Sequence, residues 1–300
     1  MAVTGKYTVN EVEERTRVPA ATLRQWERRY GFPMPERSGS GYRLYGDDDL
    51  RHILAMKRHI DDGVPASRAA EMVRVAEVRA HGPRPLDQLR EELVAALMEL
   101  DEAQADRVVG EAHALHPIDD VLLDLFRNTM LELGRRWHDG EINTTTEHFA
   151  SSYVQGRLRQ LMSLSGHNRN GQRVIVACAP HDQHEIGAMM LAVMLRREGY
   201  LVYYVGANTP VADLAAMAHA VHPAAVMVSA SSLDSVHVLL DQRAHLDAIA
   251  PVVAFGGHGF DEDPRRAELA GGVYLGQDIP AALRRLAELL RAVSGQGVRA

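Results

Sequence analysis

The sequence predicts a multi-domain protein of mixed α and α/β class, and three observations carry that prediction. Over residues 171–294, five apolar, β-branched runs alternate with five helical runs, the pattern of an open parallel sheet with helices on both faces. Over residues 86–166, apolar residues recur at three-to-four spacing in four stretches with short connections, the pattern of a four-helix bundle. Over residues 1–75, two short helical stretches precede a basic hairpin broken by glycines, the pattern of a helix-turn-helix with a wing.

Composition fits this. A chain of 300 residues with 46% apolar and 24% charged residues has material for several real cores. Its one cysteine, Cys178, lies inside an apolar run, so neither a disulfide framework nor a cysteine zinc cluster forms within the chain, as in a reducing cytosol. The start lacks a basic-then-apolar signal and no uncharged run is long enough for a bilayer, so the expectation is a cytoplasmic protein with no membrane partner. Charge is uneven: residues 1–74 hold 13 Lys/Arg against 11 Asp/Glu, while the rest of the chain holds 20 against 29. A mildly basic head on an acidic body is compatible with nucleic-acid binding by the head, and also with ordinary charge scatter.

At the N-terminus, Thr8 followed three residues later by Glu11 reads as a capping box opening the first helix. Pro19 is expected in the first turn of the second, which Gly31 ends. On that second helix Thr22, Arg24, Gln25, Arg28 and Arg29 have the reach for phosphates and base edges, while Leu23 and Trp26 belong to its inward face. Residues 37–45 form the wing, with Arg37, Tyr42 and Arg43 beside the glycines, and Asp47-Asp48-Asp49 start a third helix whose dipole favours carboxylates. The runs Thr22-Leu23-Arg24, Trp26-Glu27-Arg28 and Gly41-Tyr42-Arg43-Leu44-Tyr45 resemble the winged helix-turn-helix of the MerR family. That resemblance implies a dimer on double-stranded operator DNA with symmetric half-sites. There is no sustained heptad pattern, so assembly must come from elsewhere in the chain. Residues 76–85, rich in breakers at their end, read as a linker.

The bundle helices are expected at 86–100, 102–115, 118–137 and 145–164, with Leu89, Leu93, Ala96, Leu97 and Leu100 as one inward face. Trp137 ends the third and Glu147-His148 begin the fourth. Trp137 offers a flat apolar cap and Glu147 an acceptor for sugar hydroxyls. The plainer reading makes Trp137 a core residue and Glu147 a complement to a helix N-terminus.

In the last segment, strands are expected at 173–179, 201–205, 224–230, 252–255 and 272–275. Helices are expected near 186–198, 210–221, 234–248, 263–269 and 279–293, giving a flavodoxin-like, Rossmann-type sheet. The tail from Ser294 reads as disordered. After the first strand comes His181-Asp182-Gln183-His184-Glu185-Ile186-Gly187, either a metal-centred site or a polar loop capped by Asp182. Asp182-x-His184-x-x-Gly187, then Ser231-x-Leu233, then Gly256-Gly257, resembles the cobalamin-binding fold in content and order. The resemblance implies a cobalt corrinoid, with His184 as the lower axial metal ligand and Asp182 orienting it. Gly187 would admit the corrin. Ser231 and Leu233 would line the channel for the displaced nucleotide tail, and Gly256 and Gly257 would leave it room. His181 and His258 receive no role and read as solvated loop residues.

A MerR-like reader, a helical bundle and a cobalamin domain in that order resemble the CarH/LitR class of light-responsive transcription regulators. In that class the bundle caps the upper corrin face. The resemblance implies that Trp137 packs against the adenosyl group of adenosylcobalamin and Glu147 bonds its ribose, with His148 orienting neighbours. His138 is then a candidate to occupy the upper cobalt position after light. The implied function is a non-enzymatic repressor, loaded with adenosylcobalamin, bound to its operator in the dark as a dimer or tetramer and released by light. The alternatives are a light-independent cobalamin sensor, a corrinoid methyl carrier, and a regulator whose last domain no longer binds cobalamin.

Overall fold

A computed structural model describes residues 6–37, 41–81, 83–166 and 168–296. The chain divides into two compact units, residues Met1–Pro85 and Leu86–Ala300.

The first unit runs β1 (Tyr7–Thr8), α1 (Val9–Thr16), α2 (Ala20–Tyr30), β2 (Glu36–Arg37), β3 (Arg43–Tyr45), α3 (Asp47–Asp61) and α4 (Ala66–His81). The expected capping box is present: the Glu11 carboxylate accepts from the Thr8 amide at 2.7 Å, and the Thr8 hydroxyl accepts from the Glu11 amide at 3.5 Å. Pro19 is the N-cap of α2 rather than a residue of its first turn, and Gly31 ends the helix in the left-handed conformation at φ +64°. The wing strands pair antiparallel, Glu36 with Leu44 and Arg37 with Arg43, while its residues 38–40 lie outside the described residues. β1 adds a third strand on the other side of β3. Val12, Leu23, Trp26, Tyr45, Ile53 and Met56 form the core, so Leu23 and Trp26 do face inward.

Two sequence expectations are corrected. Residues 76–85 are not a simple linker, because α4 continues to His81. The run Ala76-Glu77-Val78-Arg79-Ala80 is rich in good helix formers, and propensity carries the helix up to Gly82, which is outside the described residues. The tail is likewise helical as far as Gln296, and residues 297–300 are not described.

The second unit begins with the bundle: α5 (Leu86–Met98), α6 (Glu102–Leu115), α7 (Ile118–Asp120), a π-helical segment (Val121–Arg127), α8 (Asn128–His138) and α9 (Thr144–Leu164). The stretch expected as one helix over 118–137 is thus interrupted by a wider turn, a feature often found beside functional sites. There follow β4 (Arg173–Cys178), α10 (Ile186–Arg197), β5 (Leu201–Gly206), α11 (Val211–Val221), β6 (Ala225–Ser229), α12 (Leu233–Asp241), β7 (Val252–Gly256), α13 (Arg265–Leu269), β8 (Val273–Tyr274) and α14 (Ile279–Gln296). The sheet is parallel with order β5-β4-β6-β7-β8, the doubly wound arrangement expected. One face shares a core with the bundle through α10 and α14; the other packs α11, α12 and α13.

Gly257, just past β7, stands at φ +94°, and a Cβ there would lie 2.4 Å from the Ala230 carbonyl oxygen. Strain and overlap act together, so Gly257→Ala is expected to lower the unfolding free energy by about 2–4 kcal/mol. Urea titration of the apo chain measures this; a loss below about 1 kcal/mol would mean the loop relaxes freely.

Candidate functional site

Parallel strands bring the loops at their carboxyl ends level with one another. Cys178 pairs with Ser229 and Ser229 with Gly256, so the three loops singled out in the sequence emerge side by side. Above them, between the sheet and helices α8 and α9, is a cavity of about 1150 Å³. That exceeds the roughly 300–1,000 Å³ of ordinary small-ligand pockets.

The floor is built around Asp182. Its buried carboxylate accepts from the His184 amide at 2.9 Å, the Ser231 amide at 2.6 Å and the Ser231 hydroxyl at 2.7 Å. It also faces His184 Nδ1 at 3.2 Å, and Ser231 Oγ lies 3.0 Å from the same nitrogen. Burial works against the charge on Asp182, but the hydrogen bonds from His184 and Ser231 outweigh it and hold the carboxyl below its usual range. The hydrogen bond to Asp182 raises the His184 pKa; burial opposes this, and the charges of Asp182 and Glu147 add to it. The His184 side chain is 83% exposed. With Nδ1 committed to Asp182 and Ser231, Nε2 is the nitrogen left to meet a metal.

The surrounding backbone suits a large flat ligand. Gly187 lines the cavity in the first turn of α10, and nothing lies within 4 Å of where its Cβ would be. Cys178 is buried beneath the loop, and its thiol is pushed up to about 12, chiefly by burial, so it is no competing metal ligand. Among the described residues no group of three or more His, Cys, Asp or Glu side chains gathers to hold a metal ion.

The opposite wall comes from the bundle. Trp137, His138, Glu147 and His148 all line the same cavity as His184. Trp137 is not a core residue: it is 47% exposed, with its indole N–H donating to the Thr144 hydroxyl at 3.2 Å. Glu147 accepts from the Ser151 hydroxyl at 2.5 Å. His148 is largely exposed, its Nε2 3.8 Å from Glu147 Oε2. Met130 and Leu131, which follow the π segment, complete an apolar stretch of wall that the sequence pattern did not single out.

Ser231, Gly256 and Gly257 line the cavity, but Leu233 is not among its lining residues. The Ser232 hydroxyl caps α12, accepting from the Ser235 amide at 3.2 Å, and this puts Leu233 in the first turn of that helix with its side chain partly exposed. His258, read as a solvated loop residue, is exposed as expected, lines part of the cavity and faces Asp261 at 3.0 Å. His181 is exposed, at φ +65°, with its amide bonded to Asn208. Ser231 as a partner of His184 was invisible in sequence, since 47 residues separate them and only the strand register joins them.

In the N-terminal unit, Arg24, Gln25, Arg28 and Arg29 are exposed along α2, with Thr22 half-buried beside them, and Arg37 and Tyr42 are exposed on the wing. Arg43, also expected to meet DNA, is half-buried. Its guanidinium forks onto the Glu27 carboxylate at 2.8 and 3.2 Å, pinning the wing strand to α2.

Comparison with known proteins agrees with both halves of this description. Residues 7–75 match the MerR HTH family regulatory protein model, and residues 172–283 and 89–162 each match a B12 binding domain model. Two repressors of Myxococcus xanthus are similar over nearly the whole chain. The HTH-type transcriptional repressor CarH is 31% identical over 91% of this chain and 96% of its own. The HTH-type transcriptional repressor CarA is 31% identical over 89% and 91%. In fold, the monomethylamine corrinoid protein of Methanosarcina barkeri superposes with a TM-score of 0.57 at 18% identity, over 68% of this chain and 99% of that one. Taken with the histidine-centred cavity and the winged reader, these likenesses place the chain in the CarH-type family of MerR-like transcriptional repressors with B12-binding domains, which are regulators and not enzymes.

Proposed function

We propose that this chain is a light-responsive repressor of the bacterial cytoplasm. In the dark it binds operator DNA as an adenosylcobalamin-loaded dimer or tetramer, and it leaves the operator when light acts on the cofactor. The observation that carries the reading is the facing of Trp137 and Glu147 against His184 across one cavity. A sensor of cofactor occupancy needs only the floor; a half-exposed indole and a carboxylate on the roof suit a nucleoside on the upper side.

Adenosylcobalamin, when bound, supplies a cobalt–carbon bond that visible light breaks. His184 would hold the metal through Nε2, with Asp182 and Ser231 fixing the ring. Trp137 would cover the adenosyl group and Glu147 would accept from its ribose hydroxyls. Without that group the exposed indole would lack its partner, and this would bias α8 towards another position. His138, one residue on and in the same cavity wall, would then be free to approach the metal. Assembly of several chains links their reader units, so weak phosphate-driven contacts combine into operator occupancy.

The test is to load the full chain with adenosylcobalamin in darkness and record absorbance, mass in solution and operator binding, then repeat after green light. A spectral change accompanied by a fall in mass and in DNA affinity supports the reading. Photolysis that leaves mass and DNA binding unchanged leaves an occupancy sensor in its place. On the DNA side, Arg28→Ala is expected to weaken operator binding by about 1–3 kcal/mol, measured by fluorescence anisotropy at fixed salt. A loss of less than about twofold removes Arg28 from the contact surface.

A further inference from the structure

Glu185 follows His184 directly and is the N-cap of α10. Nothing in the cobalamin motif gives it a part. Yet its side chain is only 11% exposed, an unusual place for a carboxylate. Two groups hold it there. The Tyr204 hydroxyl on β5 donates to Oε2 at 2.7 Å, and Arg159 Nη2 on α9 donates to Oε1 at 3.0 Å. Burial and the bond to Glu185 push the Tyr204 phenol far above its ordinary range, so it stays a donor at all working pH.

The two donors come from different layers. Tyr204 belongs to the sheet. Arg159 belongs to the bundle, on the same helix as Glu147 and three turns further along it. The arginine side chain is 63% exposed, so the core does not need it for packing. Along the same seam Arg196 donates to the Met162 carbonyl at 2.6 Å and Arg197 pairs with Asp119 at 3.0 Å, tying α10 to the bundle at its far end. Of these three arginine bonds, that of Arg159 reaches the residue adjoining His184.

We propose that Glu185 is a positioning residue for His184, and that the Arg159–Glu185–Tyr204 bridge makes the placement of bundle helix α9 felt at the cobalt ligand. The bridge fixes the peptide after His184 from above and from the side, while Asp182 and Ser231 fix the imidazole itself. Removing Arg159 frees the loop from the bundle but leaves the Asp182–Ser231 set intact. His184 then samples positions in which Nε2 no longer meets the metal. This inference rests on His184 being the cobalt ligand and not on the response to light.

The experiment uses the full chain with cobinamide, the corrinoid that lacks its own nucleotide base, reduced to cobalt(II), so that any axial nitrogen comes from the protein. In that state the unpaired electron couples to an axial nitrogen and splits the electron paramagnetic resonance lines. Arg159→Gln and Tyr204→Phe are each expected to lower the nitrogen-split fraction. They should speed cofactor dissociation by about three- to tenfold, less than the 10–100-fold cost of losing a group that touches the ligand directly. Arg159→Lys, which keeps the charge, should recover part of the split fraction. The melting temperature of the apo variants should stay close to that of the parent. Full nitrogen splitting and unchanged dissociation in both variants would overturn the proposal while leaving the repressor reading untouched. Loss of the light response in a parent that keeps its nitrogen splitting would do the reverse. A parent with no nitrogen splitting would overturn the bridge and the ligand assignment together.

Discussion

His184→Ala is expected to lower cobalamin affinity by about 100-fold or more, at the top of the range set by losses of groups that only orient a ligand. The geometry makes this a clean substitution. The imidazole is 83% exposed, so its removal opens no void in the core and leaves the fold standing. What disappears is His184 Nε2, the nitrogen proposed to meet the metal. Asp182→Asn should cost about 10–100-fold, because the ring keeps its place in the sequence but loses the charge that raises its basicity and fixes its Nδ1 side. Asp182 is buried with its hydrogen bonds satisfied, so this second variant also carries a stability cost that the first does not. Titration of the full chain with hydroxocobalamin, followed by absorbance, measures both. If His184→Ala binds within about threefold of the parent, the metal is not held by this residue, and the three-loop reading of the site fails with it.

The sheet and bundle were legible because their signals are local. A buried parallel strand is an apolar run, and a packed helix repeats its apolar face every three to four residues, so β4, β5, β6 and α9 fall within a residue or two of expectation. β8 shrank to Val273–Tyr274, as an edge strand with a partner on one side only can. The π segment over Val121–Arg127 was not legible, since its register change leaves the apolar pattern continuous. Candidate site residues were readable as members of loops but not as partners of one another. Spacing could suggest that Asp182 stands by His184; only the register of β4 on β6 brings Ser231 to both. The same limit explains Arg43, whose partner Glu27 lies on α2, sixteen residues away in sequence. Glu185 was hidden for a further reason. A carboxylate at a helix start is unremarkable until Arg159 and Tyr204 are seen to close on it from two layers.

Trp137→Ala is expected to abolish most of the preference for adenosylcobalamin over hydroxocobalamin while leaving hydroxocobalamin affinity nearly unchanged. A buried tryptophan covers roughly 150–250 Å², and in the present fold 47% of this one remains exposed. Covering the remainder at roughly 25 cal/mol per Å² contributes about 2–3 kcal/mol, or about 30- to 150-fold in affinity. That energy is available only to a ligand that carries an apolar group on its upper side, so it is a difference between two forms of one cofactor. His184→Ala should weaken both forms alike, and Trp137→Ala only one, which separates the floor from the roof. The hydrogen bond from the indole to Thr144 is on the surface, and its loss should cost the apo fold little. Since only differential binding can shift a conformational equilibrium, the variant should also fail to assemble on adding adenosylcobalamin in the dark. Paired titrations in darkness and mass in solution measure both effects. A preference for the adenosyl form that survives the substitution would assign the roof another contact, with Met130 and Leu131 apolar candidates on the same wall. Assembly that survives while the preference is lost would mean that the oligomer is held by surfaces indifferent to the upper group, and a signal carried by light would then have no route from the cavity to the DNA.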